Sequence, residues 1–178
     1  MEYIVVGEFS DEYQDGLDAS DRPKDDAWLD IPIAELGSPC LVLASPNESI
    51  YDAALRMNEH GCGALVVVEG DALVGIFTER DMCRRVVCAG RDPQRTPIRD
   101  VMTASPATVL ETDTLGQTLR VLVLEGFRHI VVVNPCGIPT NVVSVRRIVE
   151  HVAEYFPDKV FNAPLDSRPP CAPVCEGG

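Results

Sequence analysis

The sequence predicts an α/β fold, α+β-like in its strand order, made of two βαββα repeats. Three observations lead there. Offsetting the 178-residue chain against itself by 65 positions lays Pro32 on Pro97, Ile33 on Ile98, Glu35 on Asp100, Leu36 on Val101 and Ser38 on Thr103, the mark of an internal structural repeat. At the same offset a stripe at i, i+3, i+4 and i+7 recurs, as Ile50, Ala53, Ala54 and Met57 and again as Leu115, Thr118, Leu119 and Leu122. That spacing is one face of an amphipathic helix. Between the stripes lie the short β-branched runs Ala64 to Val68 and His129 to Val133, which suit buried, parallel-type strands.

The elements follow in order. Ser49 and Thr114 precede the helical stripes as N-cap candidates, and Gly61 and Gly126 follow where each helix would end. After the first long strand of each copy comes a turn, Glu69-Gly70-Asp71 or Asn134-Pro135-Cys136-Gly137. A second strand then runs Leu73 to Phe77 or Thr140 to Val143, and a second helix begins near Glu79 or Val145. Repeat 1 is thus expected over 31–89, a linker with Gly90, Pro93 and Pro97 over 90–97, and repeat 2 over 98–156. Residues 1–30 and the Pro-rich 157–178 are expected to be poorly ordered flanks, except that Tyr3 to Phe9 has the pattern of an edge strand or partner-binding segment. Copies of roughly 60 residues are marginal alone, so the two are expected to share one body.

Composition bounds the function. With 46% hydrophobic and 24% charged residues the chain can bury a real core. No apolar run approaches the ~20 residues that span a bilayer, and the acidic start lacks the basic and apolar regions of a signal peptide, so a cytoplasmic protein is expected. Ten acids between residues 1 and 30 face only Arg22 and Lys24, and the whole chain carries a net charge of −13. That balance speaks against nucleic-acid and anionic-membrane partners, which need a basic face. Seven cysteines without a CxxC pair predict reduced thiols. Cys171 and Cys175 are too few ligands for zinc, so no metal is expected. His60, His129 and His151 fall in separate elements, and no nucleophile elbow, HExxH or phosphate-loop motif is present. No enzyme activity and no cofactor are expected.

The most informative segment is Gly75-Ile76-Phe77-Thr78-Glu79-Arg80-Asp81, where a strand closes and a helix opens. Thr78 and Asp81 fit a capping box, in which hydroxyl and acid each satisfy an amide of the other. The same pair suits a nucleotide: amides at the helix start for phosphate, and a carboxylate for two ribose hydroxyls. The roles are compatible. Together with VVVEGDALVGIF before it, VMT at Val101 to Thr103 and FRHIVVV at Phe127 to Val133, GIFTERD resembles the cystathionine-β-synthase-type (CBS) domain family from about Ile31 to Ala153.

The resemblance implies a tandem CBS pair, a stand-alone regulatory module of the Bateman type, packed with pseudo-two-fold symmetry around a cleft with two candidate nucleotide sites. The implied ligand is an adenine nucleotide (AMP, ADP or ATP, or another adenosyl compound such as S-adenosylmethionine or NAD), read by an unknown effector protein. A homodimer through exposed helices is also implied. Gly75, Thr78 and Asp81 would serve the ribose and phosphate end, Arg128 and His129 the phosphates, and Ala44, Ser45, Ile76 and Met102 the base end. The second copy has Ser144 for Thr78 but Arg147 for Asp81, and a guanidinium has no acceptor for a ribose hydroxyl. Arg146 and Arg147 there either supply charge to a phosphate or lie on a solvated helix face. The alternative is a ligand-free dimerisation or docking scaffold.

Overall fold

A computed structural model of the chain describes residues 26–36 and 41–162. Tyr3 to Phe9, Cys171 and Cys175 lie outside the described residues. Repeat 1 supplies β1 (Leu43–Ala44), α1 (Ile50–His60), β2 (Ala64–Glu69), β3 (Ala72–Thr78) and α2 (Glu79–Asp81), which runs on as a π-helix over Met82–Val87. After a 3-10 turn at Ile98–Asp100 come β4 (Thr103–Ala104), β5 (Thr108–Leu110), α3 (Leu115–Glu125), β6 (His129–Val133), β7 (Pro139–Ser144), α4 (Val145–Tyr155) and α5 (Pro157–Phe161).

The expected caps form. Ser49 and Thr114 accept from the amides of Asp52 and Gln117, while Gly61 and Gly126 adopt φ of 60° and 65°, the left-handed conformation that costs a Cβ-bearing residue most. In each copy the first strand pairs in parallel with the next, which turns back antiparallel, as β1-β2-β3 and β5-β6-β7. β4 extends the first sheet to four strands by pairing Ala104 with Gly75. Alternation along the central strands splits their side chains between layers. Leu65 and Val67 face the first helical core, and Ile130 and Val132 the second. Ala64, Val66, Val131 and Val133 meet, with Ile76 and Val142, in a third layer between the sheets.

The sequence repeats are not the spatial units. Ile33 and Leu36, at the head of repeat 1, are buried in the core of repeat 2 beside Leu115 and Ile148. Their counterparts Ile98 and Val101 are buried in the core of repeat 1 beside Ile50 and Phe77. Hydrogen bonds repeat the exchange at the same offset. The Ile33 amide donates to the Asp113 carbonyl at 2.7 Å and the Ile98 amide to Glu48 at 2.9 Å; Leu115 donates to Ile31 at 2.9 Å and Ile50 to Thr96 at 3.1 Å. The two copies are therefore related by pseudo-two-fold symmetry and clasp each other through their lead-in segments.

The folded body also reaches past both expected borders. Asp26–Leu29 forms a 3-10 turn, with Trp28 against the second core and edge-to-face on Phe156 at 6.0 Å. Pro157–Phe161 adds a helical turn after α4. Trp28 packs on the second core and so draws in chain that acidic composition had assigned to the flank.

Ile33 and Ile98 are 0% exposed, so Ile33→Ala or Ile98→Ala should each cost about 2–5 kcal/mol. Because the cores exchange segments, Ile98→Ala should shift the denaturant transition of Trp28 fluorescence, which reports on the second core, as far as that of far-ultraviolet circular dichroism. A Trp28 transition that stays in place would show that the copies unfold independently.

Candidate functional site

β3 delivers the GIFTERD segment to the edge of the interface, and its local hydrogen bonds form the capping box. Asp81 Oδ2 accepts from the Thr78 amide at 3.1 Å and from its hydroxyl at 2.7 Å, while the Asp81 amide donates to Thr78 Oγ1 at 3.3 Å. Asp81 is 9% exposed. Its other oxygen lies 3.4 Å from Arg85, whose guanidinium also donates to the carbonyls of Val101 and Met102 at 2.8 and 2.6 Å. Three amides at this helix start already have partners within the fold. The amides of Thr78 and Asp81 serve the capping box and that of Glu79 donates to the Gly63 carbonyl at 3.1 Å.

Charge comes from side chains instead. A cavity of about 790 Å³ opens beside the capping box, and Thr78, Asp81 and Ile76 line it on the first copy, Arg128 and His129 on the second. Arg80, Arg84 and Arg85 add three cations from α2 and the π-helix. They escaped sequence reasoning because no motif marks them; the signal available was their spacing on one helix directly after Thr78. The far wall is Thr103, Pro106 and Ala107, with Phe127 beside Arg128. Within that wall Ser105 holds φ at 46°, alone among the described non-glycine residues, a conformation that costs an L-residue roughly 1 kcal/mol or more.

His129 sits in β6 opposite Ser144. Its pKa is lowered from 6.5, first by burial and then by Arg128 and Arg80, against a raising influence from Glu79. Glu79 and His129 converge on Gly63: a Cβ there would lie 3.3 Å from His129 Nε2 and 3.4 Å from Glu79 Oε2. The glycine leaves room for that pair.

Other expected ligand residues lie elsewhere. Gly75 serves packing, because a Cβ there would collide with Met102 Sδ and come within 3.1 Å of the Thr103 carbonyl. Met102 packs on the first core. Ala44 and Ser45 line a separate cavity of about 480 Å³ with Pro46, Asn47 and Val68. The reason is the exchange of lead-in segments: the wall facing Thr78 comes from the segment before β5 and not from the segment after β1. In the second copy Ser144 caps α4 through the Arg147 amide at 3.2 Å. Arg146 bonds Glu150 at 2.9 Å and Arg147 reaches Glu154 at 3.3 Å, so both arginines are engaged along the helix face. Asn141 also avoids the left-handed conformation its side chain would tolerate.

The His129 shift has a sign. Its imidazolium is disfavoured in the fold, so below about pH 6.5 the unfolded chain binds the proton more readily. Stability from this residue is complete above that value and falls as pH drops toward the lowered folded pKa. Melting temperatures of wild type and His129→Gln should keep a constant difference above neutral pH and diverge below it, wild type falling faster. Parallel pH profiles would rule out titration of His129 in that window.

Comparison with known proteins agrees with this architecture. The model of the CBS domain matches twice, over residues 33–88 and 98–154. An uncharacterized protein of Methanopyrus kandleri is 31% identical over 121 residues, covering 67% of this chain and 62% of that protein. A mitochondrial CBS domain-containing protein of Arabidopsis thaliana is 35% identical over 111 residues, 60% of this chain and 53% of its own length. The chain thus spans between half and two thirds of these curated relatives. Among solved structures, an uncharacterized conserved protein of Pyrococcus horikoshii superimposes with TM-score 0.65 at 26% identity, over 70% of this chain and 93% of that one. A CBS domain protein of Pyrobaculum aerophilum complexed with AMP does so with TM-score 0.62 at 26% identity, over 70% and 99%. Two matches to one family model, each falling on one of the clasped repeats, show that the chain belongs to the CBS-domain family as a tandem pair.

Proposed function

We propose that this CBS pair is a non-catalytic sensor that binds an adenine nucleotide in the cavity between Thr78 to Arg85 and Phe127 to His129, and that an effector protein reads the bound state. The observation that carries the reading is an arginine-lined cavity of about 790 Å³ in a chain of net charge −13. Its size falls within the range of small-molecule sites, and its charge selects an anion. The AMP complex of the Pyrobaculum relative supports an adenine nucleotide.

The mechanism follows from Asp81 and Arg85. Ribose hydroxyls donating to Asp81 compete with Arg85 for the carboxylate. Arg85 also holds the carbonyls of Val101 and Met102, in the lead-in segment that clasps the first core. Binding at the cavity would therefore shift the clasp, and a ligand with different affinity for two arrangements moves the balance between them. Phosphates bridging Arg84 of one copy and Arg128 of the other would act in the same direction.

An adenine nucleotide should raise the melting temperature in a thermal-shift panel, since a ligand of the folded state alone must stabilise it. Asp81→Asn should weaken binding by about tenfold or more in calorimetry, a charged hydrogen-bond acceptor being lost. Alanine at 81 is a poorer test because it also removes the cap. A flat panel would favour the ligand-free scaffold instead.

A second reading concerns association. Tyr51 and Leu55 on α1, and Val123 and Leu124 on α3, are all exposed, Val123 by 75%. Apolar helix faces of this kind suit a homodimer. Light scattering should give twice the monomer mass, and Val123→Glu with Leu55→Glu should return it to the monomer; a wild-type monomer would contradict this.

A further inference from the structure

Resting on the nucleotide reading, the charge distribution carries a second conclusion about which nucleotide. Most described arginines are committed to the protein. Arg56, Arg85, Arg95, Arg99, Arg146 and Arg147 each pair with an acid, and Arg120 also has a partner. Among the described residues, the guanidinium groups of Arg80, Arg84, Arg91 and Arg128 form neither a hydrogen bond nor an ion pair, and three of those four residues line the cavity beside Thr78. In an acidic protein this concentration of unengaged guanidinium groups is not what random placement provides.

Their arrangement matters as much as their number. Arg80 and Arg84 stand one helical turn apart on the wall formed by the first copy, and Arg128 enters from the second. The acids facing them are Glu79, held toward His129 and Gly63, and Asp81, closed by Thr78 and Arg85. Burial, then Arg128 and Arg80, lower the pKa of His129 against the raising influence of Glu79, so its imidazolium is disfavoured beside the arginines. A single phosphoryl group presents three terminal oxygens at one point and a charge of about −2. Guanidinium groups gathered there from two walls would repel one another. A row of phosphates spreads the negative charge along the cavity and gives each arginine its own oxygens, in the forked geometry that suits guanidinium.

We infer that the cavity is built for a nucleoside polyphosphate, with Arg80, Arg84 and Arg128 gripping successive phosphates, and that it prefers tri- and diphosphate to monophosphate.

Calorimetry with AMP, ADP and ATP, magnesium chelated so that the phosphates alone set the charge, tests this. ATP should bind about tenfold or more tighter than AMP, with ADP between them, and the preference should shrink as salt is raised, as expected of charge-assisted contacts. The double variant Arg84→Gln/Arg128→Gln replaces two exposed side chains, so its melting temperature serves as a folding control. In that variant the ratio of AMP to ATP dissociation constants should fall to within about threefold of unity, a change that general destabilisation would not produce. AMP binding as tightly as ATP, or a ratio unmoved in the double variant, overturns the polyphosphate inference and leaves the nucleotide site standing. Binding of none of the three overturns both.

Discussion

Each copy of this fold closes its hydrophobic core with residues borrowed from the beginning of the other. Ile33 and Leu36 complete the second core, and Ile98 and Val101 the first. Neither copy could keep its core dry alone, since losing these residues would open cavities beside Leu115 or Ile50 in bodies already near the lower size limit for independent folding. Backbone bonds fasten the exchange: each lead-in segment donates to a carbonyl just before the partner helix and accepts from that helix's first amide. The interface between the repeats is thus part of both cores, and anything that shifts a lead-in segment is felt on both sides.

The cavity inherits its position from this clasp. The segment that crosses into the first core runs on through β4 to Pro106 and Ala107, which form the wall facing Thr78. Gly75 lets it pass close to β3, since a side chain there would meet Met102. Arg85 ties the helix that follows Thr78 to the same segment through two carbonyls. The site is therefore a seam between copies, with a buried carboxylate at one end and guanidinium groups along its sides. Asp81 is positioned by its capping bonds, and its second oxygen lies toward Arg85.

The period of 65 residues, the caps at Ser49 and Thr114 and the glycines at 61 and 126 were legible in the sequence because they are local and occur twice. The crossing of the lead-in segments was not. Ile33 and Ile98 are equally apolar and equally placed before a helix, so the pattern shows that they are buried without showing in whose core. The placement of Ala44 and Ser45 in a separate cavity follows from that, since the wall facing Thr78 belongs to the other copy's approach. Thr78 and Asp81 stood out because a hydroxyl and an acid three apart are a recognisable device. Arg80 and Arg84 did not, since an arginine on a helix has no sequence mark that separates a solvated face from a cavity wall. The passage of α2 into a π-helix is likewise silent in the residues Met82 to Val87, where no proline or glycine announces it.

The two copies differ in the side chains at the seam. On the first, the capping acid is Asp81, with arginines free beside it. On the second the corresponding residue is Arg147, drawn along α4 by Glu150 and Glu154, and the acceptor a ribose would need is gone. The counterparts of Arg128 and His129 in the first copy are Gly63 and Ala64, so neither side chain is repeated across the axis. The glycine has a further consequence, because its missing side chain is the space in which Glu79 and His129 converge. Symmetry in the backbone has thus been kept for folding, where each copy needs the other's lead-in segment, while the side chains have placed the acceptor, the uncommitted arginines and the titratable pair together at one seam.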